Sequence, residues 1–144
     1  MRTSAMGDER ERLLRAAQAL LGCRFRLHGR DPATGLDCVG LVAAAITACG
    51  LAPITPRGYG LRNLEIGAWL ACAERSGLTK ASGAVRAGDV LLLGLGRSQH
   101  HLAIAAEAGS VIHAHAGLGR VVQQPFDPGW IICAHWRLAP PVGV

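Results

Sequence analysis

The sequence lacks the features that mark several common classes of protein. Only 4% of its 144 residues are aromatic. The formal charge is +5, but no stripe of basic residues interleaved with aromatics runs along the chain, which argues against nucleic-acid binding. No apolar run approaches the roughly 18 residues of a membrane-spanning helix, and the charged segment 1–15 lacks the apolar run of a signal peptide. The sequence therefore predicts synthesis in the cytoplasm and no nucleic-acid or membrane partner.

The number and spacing of the cysteines do not indicate disulfide bonds or a zinc site. The five cysteines are an odd number, and no two of them form a Cys-x-x-Cys pair. This spacing argues against a disulfide framework and against a zinc knuckle, and it fits a reducing compartment. The length fits a single domain over residues 1–144, in which we expect residues 1–7 to be flexible.

Helical patterns occupy the first half of the chain. Apolar residues at helical spacing predict helices over 8–21, 39–49 and 64–76, the last capped by Asn63. The second is apolar on nearly every side, which is typical of a buried central helix. The order of helices first and strands later predicts an α+β fold.

The period changes to that of strands after Val85. Strands are predicted over 90–93, 101–106, 111–115, 120–124 and 129–138, which gives an antiparallel sheet of about five strands. In the second strand, Leu102 and Ile104 alternate with His101 and Ala103. We expect Ala103 and Ala105, being small, to let this strand lie close to the second helix.

Cys38 stands where a Gly-rich loop meets the second helix. A thiol at a helix start is close to unpaired backbone N–H groups and to the positive end of the helix dipole, which favour the thiolate. The same N–H groups could hold an oxyanion. A nearby histidine would complete a Cys–His nucleophile. His101 is the candidate base, and alternation selects it over its neighbour His100 only if the strand begins at residue 101. Local pattern alone does not choose between His113 and His115 as its orienting partner.

Four ordered motifs resemble those of the NlpC-type cell-wall peptidases, which are papain-like cysteine peptidases of bacteria and phages. The family's Asp-Cys-Ser-Gly-Leu, Gly-Asp-Leu/Val, His-Val-Gly/Ala-Ile and Ile-His-Ala motifs are matched in order over residues 37–41, 88–90, 101–104 and 112–114. An upstream Gly-x-Pro-Tyr turn is similar to residues 22–25. Within the family, the chain looks most like the phage-type and gene-transfer-agent-type branch.

The resemblance implies a function and a site. It implies a papain-like fold with Cys38 as nucleophile, His101 as general base and His113 as the third member of the triad. The implied reaction is hydrolysis of amide bonds between D-glutamate and a diamino acid in peptidoglycan stem peptides, through a thioester, with no cofactor and no metal. The implied partners are those stem peptides and phage-tail proteins. Action on the wall would follow release or delivery in a phage-like particle.

The loop before Cys38 supplies candidate substrate contacts. These are Phe25, Arg26, His28 and Asp37, although Asp37 is also placed to cap the second helix. Two positions depart from the family pattern, since Phe25 replaces a tyrosine and Val39 replaces a serine.

Other functions fit the same residues. His100, His101, His113 and His115 could bind zinc on paired strands. The chain could also be a non-catalytic tail-assembly or wall-binding module, or could transfer acyl or amide groups on another substrate.

Overall fold

Three helices are present in the computed structural model, which describes residues 5–55, 66–96 and 99–138. Helix α1 is Ala5–Gln18, α2 is Cys38–Ala48 and α3 is Ile66–Arg75. All three confirm predicted helices, with ends shifted by one to three residues. The predicted cap Asn63, the predicted start of the third helix and residues 1–4 of the predicted flexible segment lie outside the described residues. None of the described helices is long and apolar enough to cross a membrane.

The strands form one antiparallel sheet and one small hairpin. The hairpin pairs β1, Arg30–Asp31, with β2, Gly35–Leu36. The sheet has the order β3-β8-β4-β5-β6-β7. Its strands are β3 (Leu78–Lys80), β4 (Val90–Gly94), β5 (His100–Ala105), β6 (Ser110–His115), β7 (Arg120–Pro125) and β8 (Ile131–Leu138). The sheet thus has six strands where about five were predicted, because β3 has only three residues and is too short to show alternation.

Helix α2 packs on one face of the sheet, and its partners there correct one prediction. The larger core cluster joins α1 and α2 to Leu102 and Ile104 of β5 and to Ile112 of β6. Ala103 and Ala105 lie in a second cluster, with Leu91, Leu93 and Val111. The alternation was predicted correctly, but the helix packs on the leucine and isoleucine face, where more apolar area can be buried.

Strands β5 and β6 separate from each other towards the start of β5. They pair only at Ile104 with Ile112 and at Ala105 with Val111, although both strands continue for several residues beyond these pairs. Over the same length β5 stays paired with β4, and β6 with β7. An opening in the sheet therefore lies beside the first residues of β5.

Candidate active site

Helix α2 begins at Cys38, and Asp37 caps it. Asp37 Oδ1 accepts a hydrogen bond of 2.8 Å from the Gly40 N–H and another of 3.0 Å from Arg30 Nη1. Its Oδ2 accepts a 2.8 Å bond from the His28 N–H. The side chain is only 4% exposed. These bonds confirm the capping role, and they occupy both oxygens with protein donors, so substrate contact through Asp37 stays a prediction.

The loop before Asp37 lies against the first turn of α2. A Cβ atom at Gly40 would overlap the carbonyl oxygen of Gly29, and one at Gly29 would overlap the carbonyl oxygen of Gly35. Glycine at these positions therefore allows backbone to lie directly on backbone. This close packing holds the basic loop beside Cys38.

Replacing Gly40 by alanine should destabilise the protein and displace this loop. The added methyl group meets backbone rather than a flexible side chain, so we expect a cost of about 1–3 kcal/mol in the free energy of unfolding. Urea denaturation would measure it. Thr47→Ala, an exposed change in the same helix, is the control and should stay within about 0.5 kcal/mol. An unchanged stability for Gly40→Ala would contradict the packing described.

The Cys38 sulfur contacts backbone N–H groups of both β5 and its own helix. Burial raises the pKa of Cys38 to about 12, while the backbone N–H groups of Leu102 and Val39 oppose this rise by hydrogen bonding to the sulfur. Leu102 directly follows His101 on β5. The N–H of Leu102 is available because β5 and β6 do not pair at this point. The thiol is therefore held uncharged in the resting site, with two backbone donors ready to stabilise a thiolate.

His101 and His113 are in direct contact. His101 Nε2 lies 2.8 Å from His113 Nδ1, and the two rings meet edge to face. His113 Nε2 in turn lies 2.7 Å from Oε1 of Gln124 on β7. Burial lowers the pKa of His101 to about 3, and it also lowers the pKa of His113. The result is a hydrogen-bonded row of three side chains, in which both imidazoles are neutral near pH 7. The hydrogen bonds of the described residues do not include one between the Cys38 sulfur and either ring.

The structure separates His113 from its neighbour His115. His115 Nδ1 accepts a 3.0 Å hydrogen bond from the Leu118 N–H in the turn after β6. Its ring lies 5.4 Å from that of His113, whereas the contact with His101 is made by His113. Of the two histidines that alternation left open, His113 is therefore the one that contacts His101, and its role as third triad member stays a prediction.

Two further predictions concern His100 and a zinc site. His100 precedes His101 on β5, so the alternation of the strand turns its side chain to the other face of the sheet. Within residues 5–55, 66–96 and 99–138, no group of three or more metal-binding side chains has an arrangement that could hold a metal ion. The direct His101–His113 hydrogen bond accounts for two of the four histidines that suggested zinc.

The predicted substrate contacts differ in their surroundings. Arg26 and His28 are exposed on the loop that packs against α2, whereas Phe25 is half-buried against the main core. His28 has a positive φ of 62°, a conformation that is uncommon for a residue other than glycine. Val39 is 3% exposed and packs into the core.

Sequence reasoning missed Gln124 and the proximity of Trp130. The Trp130 ring lies 5.7 Å from the His113 ring and meets it edge to face. Gln124 ends the predicted strand 120–124, and alternation along that strand could have placed its side chain on the same face as that of Val122. Its distance from His113 depends on the register between β6 and β7, in which His113 pairs with Val122.

Comparison with known proteins identifies the family and the fold of the chain. The model of the NlpC/P60 family matches residues 22–133. Among solved structures, NlpC1 from Trichomonas vaginalis is 18% identical with a TM-score of 0.70, over 96% of this chain and 46% of its own. The P60 domain of an antigen from M. avium subspecies paratuberculosis is 22% identical with a TM-score of 0.61, over 94% of this chain and 98% of that domain. The peptidoglycan hydrolase RipB from Mycobacterium tuberculosis is 21% identical with a TM-score of 0.61, over 96% of this chain and 68% of its own.

These matches establish family and fold. The chain spans less than half the length of several structures that it resembles, the Trichomonas protein among them. A search of curated proteins finds no match. The family model covers more than two thirds of the chain, and the similar structures share its α+β architecture. The chain therefore belongs to the NlpC/P60 family and has the papain-like fold of that family.

Proposed function

We propose that this protein is a cysteine endopeptidase that hydrolyses amide bonds in peptidoglycan stem peptides, between D-glutamate and a diamino acid. Cys38 is the nucleophile, His101 the general base and His113 the residue that orients it. The observation that carries the proposal is the 2.8 Å contact between His101 and His113, beside a cysteine that begins a helix in an NlpC/P60 chain. The name of RipB as a peptidoglycan hydrolase supports the choice of substrate.

The hydrogen bonds of His101 indicate which of its nitrogens acts as the base. Nε2 is occupied by His113, so Nδ1 is the nitrogen that can accept the thiol proton. Burial keeps both Cys38 and His101 uncharged in the resting state. Proton transfer from sulfur to Nδ1 then accompanies attack on the substrate, which is general-base rather than preformed ion-pair chemistry.

Hydrolysis follows in two steps. The Cys38 sulfur attacks the carbonyl carbon as its proton moves to His101, and the tetrahedral oxyanion lies against the N–H of Cys38. The C–N bond breaks while His101 protonates the departing amine, leaving a thioester on Cys38. Water then attacks the thioester and gives a proton to His101, which returns it to the sulfur as the carboxylic acid product leaves.

The charge of the loop suits this substrate. Arg24 and Arg26 are exposed on the loop that packs against the start of α2, and the chain as a whole carries a formal charge of +5. Stem peptides carry free carboxylates. We expect the exposed arginines to attract these carboxylates and to speed encounter, an effect that added salt weakens.

Digestion of purified peptidoglycan, with the products separated and identified by mass spectrometry, tests the proposal. Wild-type protein should release fragments that end at D-glutamate, and Cys38→Ala should release none. Cys133→Ala replaces an exposed cysteine far along the chain and serves as the matched control, with unchanged products. Equal product patterns for wild type and Cys38→Ala, or cleavage at other bonds alone, would overturn the proposal.

Delivery to the wall is a separate part of the proposal. The resemblance to phage-type members suggests synthesis in the cytoplasm and action on the wall as part of a phage-like particle. Mass spectrometry of purified particles should then detect this chain together with tail proteins. Its presence only in the particle-free fraction would contradict this route and leave the peptidase proposal intact.

A further inference from the structure

Gln124 lies at the far end of the row of side chains that begins at His101. The row runs from β5 through His113 on β6 to Gln124 on β7, with contacts of 2.8 and 2.7 Å. Strand pairing sets this distance, because His113 is opposite Val122 and Gln124 is its diagonal neighbour on the same face. The Gln124 side chain thus reaches the one nitrogen of His113 that His101 does not use.

The direction of these hydrogen bonds follows from the amide. Gln124 presents Oε1 to the ring, and a carbonyl oxygen can only accept, so His113 Nε2 carries a proton. A neutral imidazole carries one proton, so His113 Nδ1 is then an acceptor. His101 Nε2 must therefore donate to it, and His101 Nδ1 is left without a proton.

We propose that Gln124 is a positioning residue that fixes the tautomers of both histidines, so that His101 presents an unprotonated Nδ1 to the Cys38 thiol. This inference rests on the proposed peptidase function for its consequence in catalysis. With a donor in place of Oε1, each bond in the row would reverse and His101 Nδ1 would carry a proton. An imidazole in that state cannot accept the thiol proton.

The surroundings of His113 indicate that Gln124 sets the tautomer of this ring rather than its charge. Burial lowers the pKa of His113, so the ring is neutral near pH 7. The ring of His115 lies beside that of His113 but is hydrogen-bonded to the Leu118 N–H. The Trp130 ring meets the His113 ring edge to face. Of these neighbours, the Gln124 amide is the one that touches His113 Nε2.

Variants of Gln124 test the role of this hydrogen-bonded row through kinetics on the peptide substrate. Gln124→Leu removes the acceptor and should lower kcat by about 10- to 100-fold with little change in KM. Gln124→Glu keeps an acceptor oxygen at this position and should retain most of the wild-type kcat. Gln123→Leu is the matched control, because Gln123 lies on the same strand, is exposed and bonds Ser110 Oγ instead. It should leave kcat unchanged.

Nitrogen NMR of the imidazole rings tests the tautomers without any substrate. In the wild-type protein, both His101 and His113 should carry their proton on Nε2, and Gln124→Leu should shift His113 towards a mixture. A wild-type His101 protonated on Nδ1, or a Gln124→Leu variant with unchanged tautomers and kcat, would overturn the inference. If the predicted tautomers are present but peptidoglycan is not cleaved, the role of Gln124 in fixing the tautomers is supported and the proposed function is wrong.

Discussion

Replacing His101 by alanine is expected to lower kcat for stem-peptide hydrolysis by about 10²- to 10⁴-fold. Burial raises the pKa of the Cys38 thiol to about 12, so at neutral pH almost no thiolate forms unless a base removes the proton. The amine leaving group also loses its proton donor. Steady-state kinetics on a synthetic stem peptide would measure the loss, which should fall on kcat more than on KM.

The neighbouring residue His100 provides a matched control. It has the same side chain one position earlier on β5, but the alternation of the strand turns it to the opposite face. Its Nδ1 is buried and has no hydrogen-bond partner among the described residues. His100→Ala should therefore keep nearly full activity. Loss of activity in His100→Ala, with activity retained in His101→Ala, would mean that the base has been assigned to the wrong residue.

The second large effect is expected at Asp89, on the turn before β4. Its side chain is fully buried and accepts hydrogen bonds from three residues. Arg137 Nε and Nη2 donate at 2.8 and 2.9 Å, His135 Nε2 lies at 2.7 Å, and the Arg86 N–H donates at 2.8 Å. The carboxylate thus joins the turn to β8, which crosses the sheet beside β4.

Asp89→Ala should lower the free energy of unfolding by about 3–5 kcal/mol. The variant leaves the Arg137 guanidinium partly buried without its anion, which costs more than the loss of one hydrogen bond. Urea denaturation followed by circular dichroism would measure the change. Glu107→Ala, which removes an exposed carboxylate from the turn after β5, should cost less than about 0.5 kcal/mol. A loss below about 1 kcal/mol at Asp89 would contradict the structural role described here.

Acid should reveal the same interaction in the wild-type protein. Burial alone would raise the pKa of Asp89, but the hydrogen bonds from Arg137, His135 and the Arg86 N–H outweigh it and lower the pKa. A lowered folded-state pKa contributes stability above the unfolded value of about 3.9, and this contribution is lost as the pH falls further. Below about pH 4, the wild-type protein should therefore lose stability more steeply than Asp89→Ala.

The sequence predicts the parts of this site that depend on local pattern. The loop glycine before Cys38 and the apolar run after it mark a helix start, and the helix begins there. Alternation also places His113 and His115 on one face correctly. It cannot choose between them, because the choice depends on where β5 and β6 stop pairing, and that separation comes from contacts distant in the chain.

Other features lie beyond local pattern for the same reason. Gln124 contacts His113 only through the register of β6 with β7. The face of β5 that meets α2 was predicted wrongly, because small residues suggest close packing as readily as large ones suggest burial. Strand β3 gains its stability from pairing with β8 and has no signal in its own three residues.

The donors that the thiol meets are main-chain groups, and this has a consequence for how the site tolerates change. Leu102 and Val39 contribute their N–H groups to the sulfur, while their side chains are buried in the core. Substitutions that preserve the backbone leave both donors in place, and proline is the one residue that would remove either of them. The side chain of the residue after Cys38 can therefore vary with the packing of the core, while its N–H remains a donor to the sulfur.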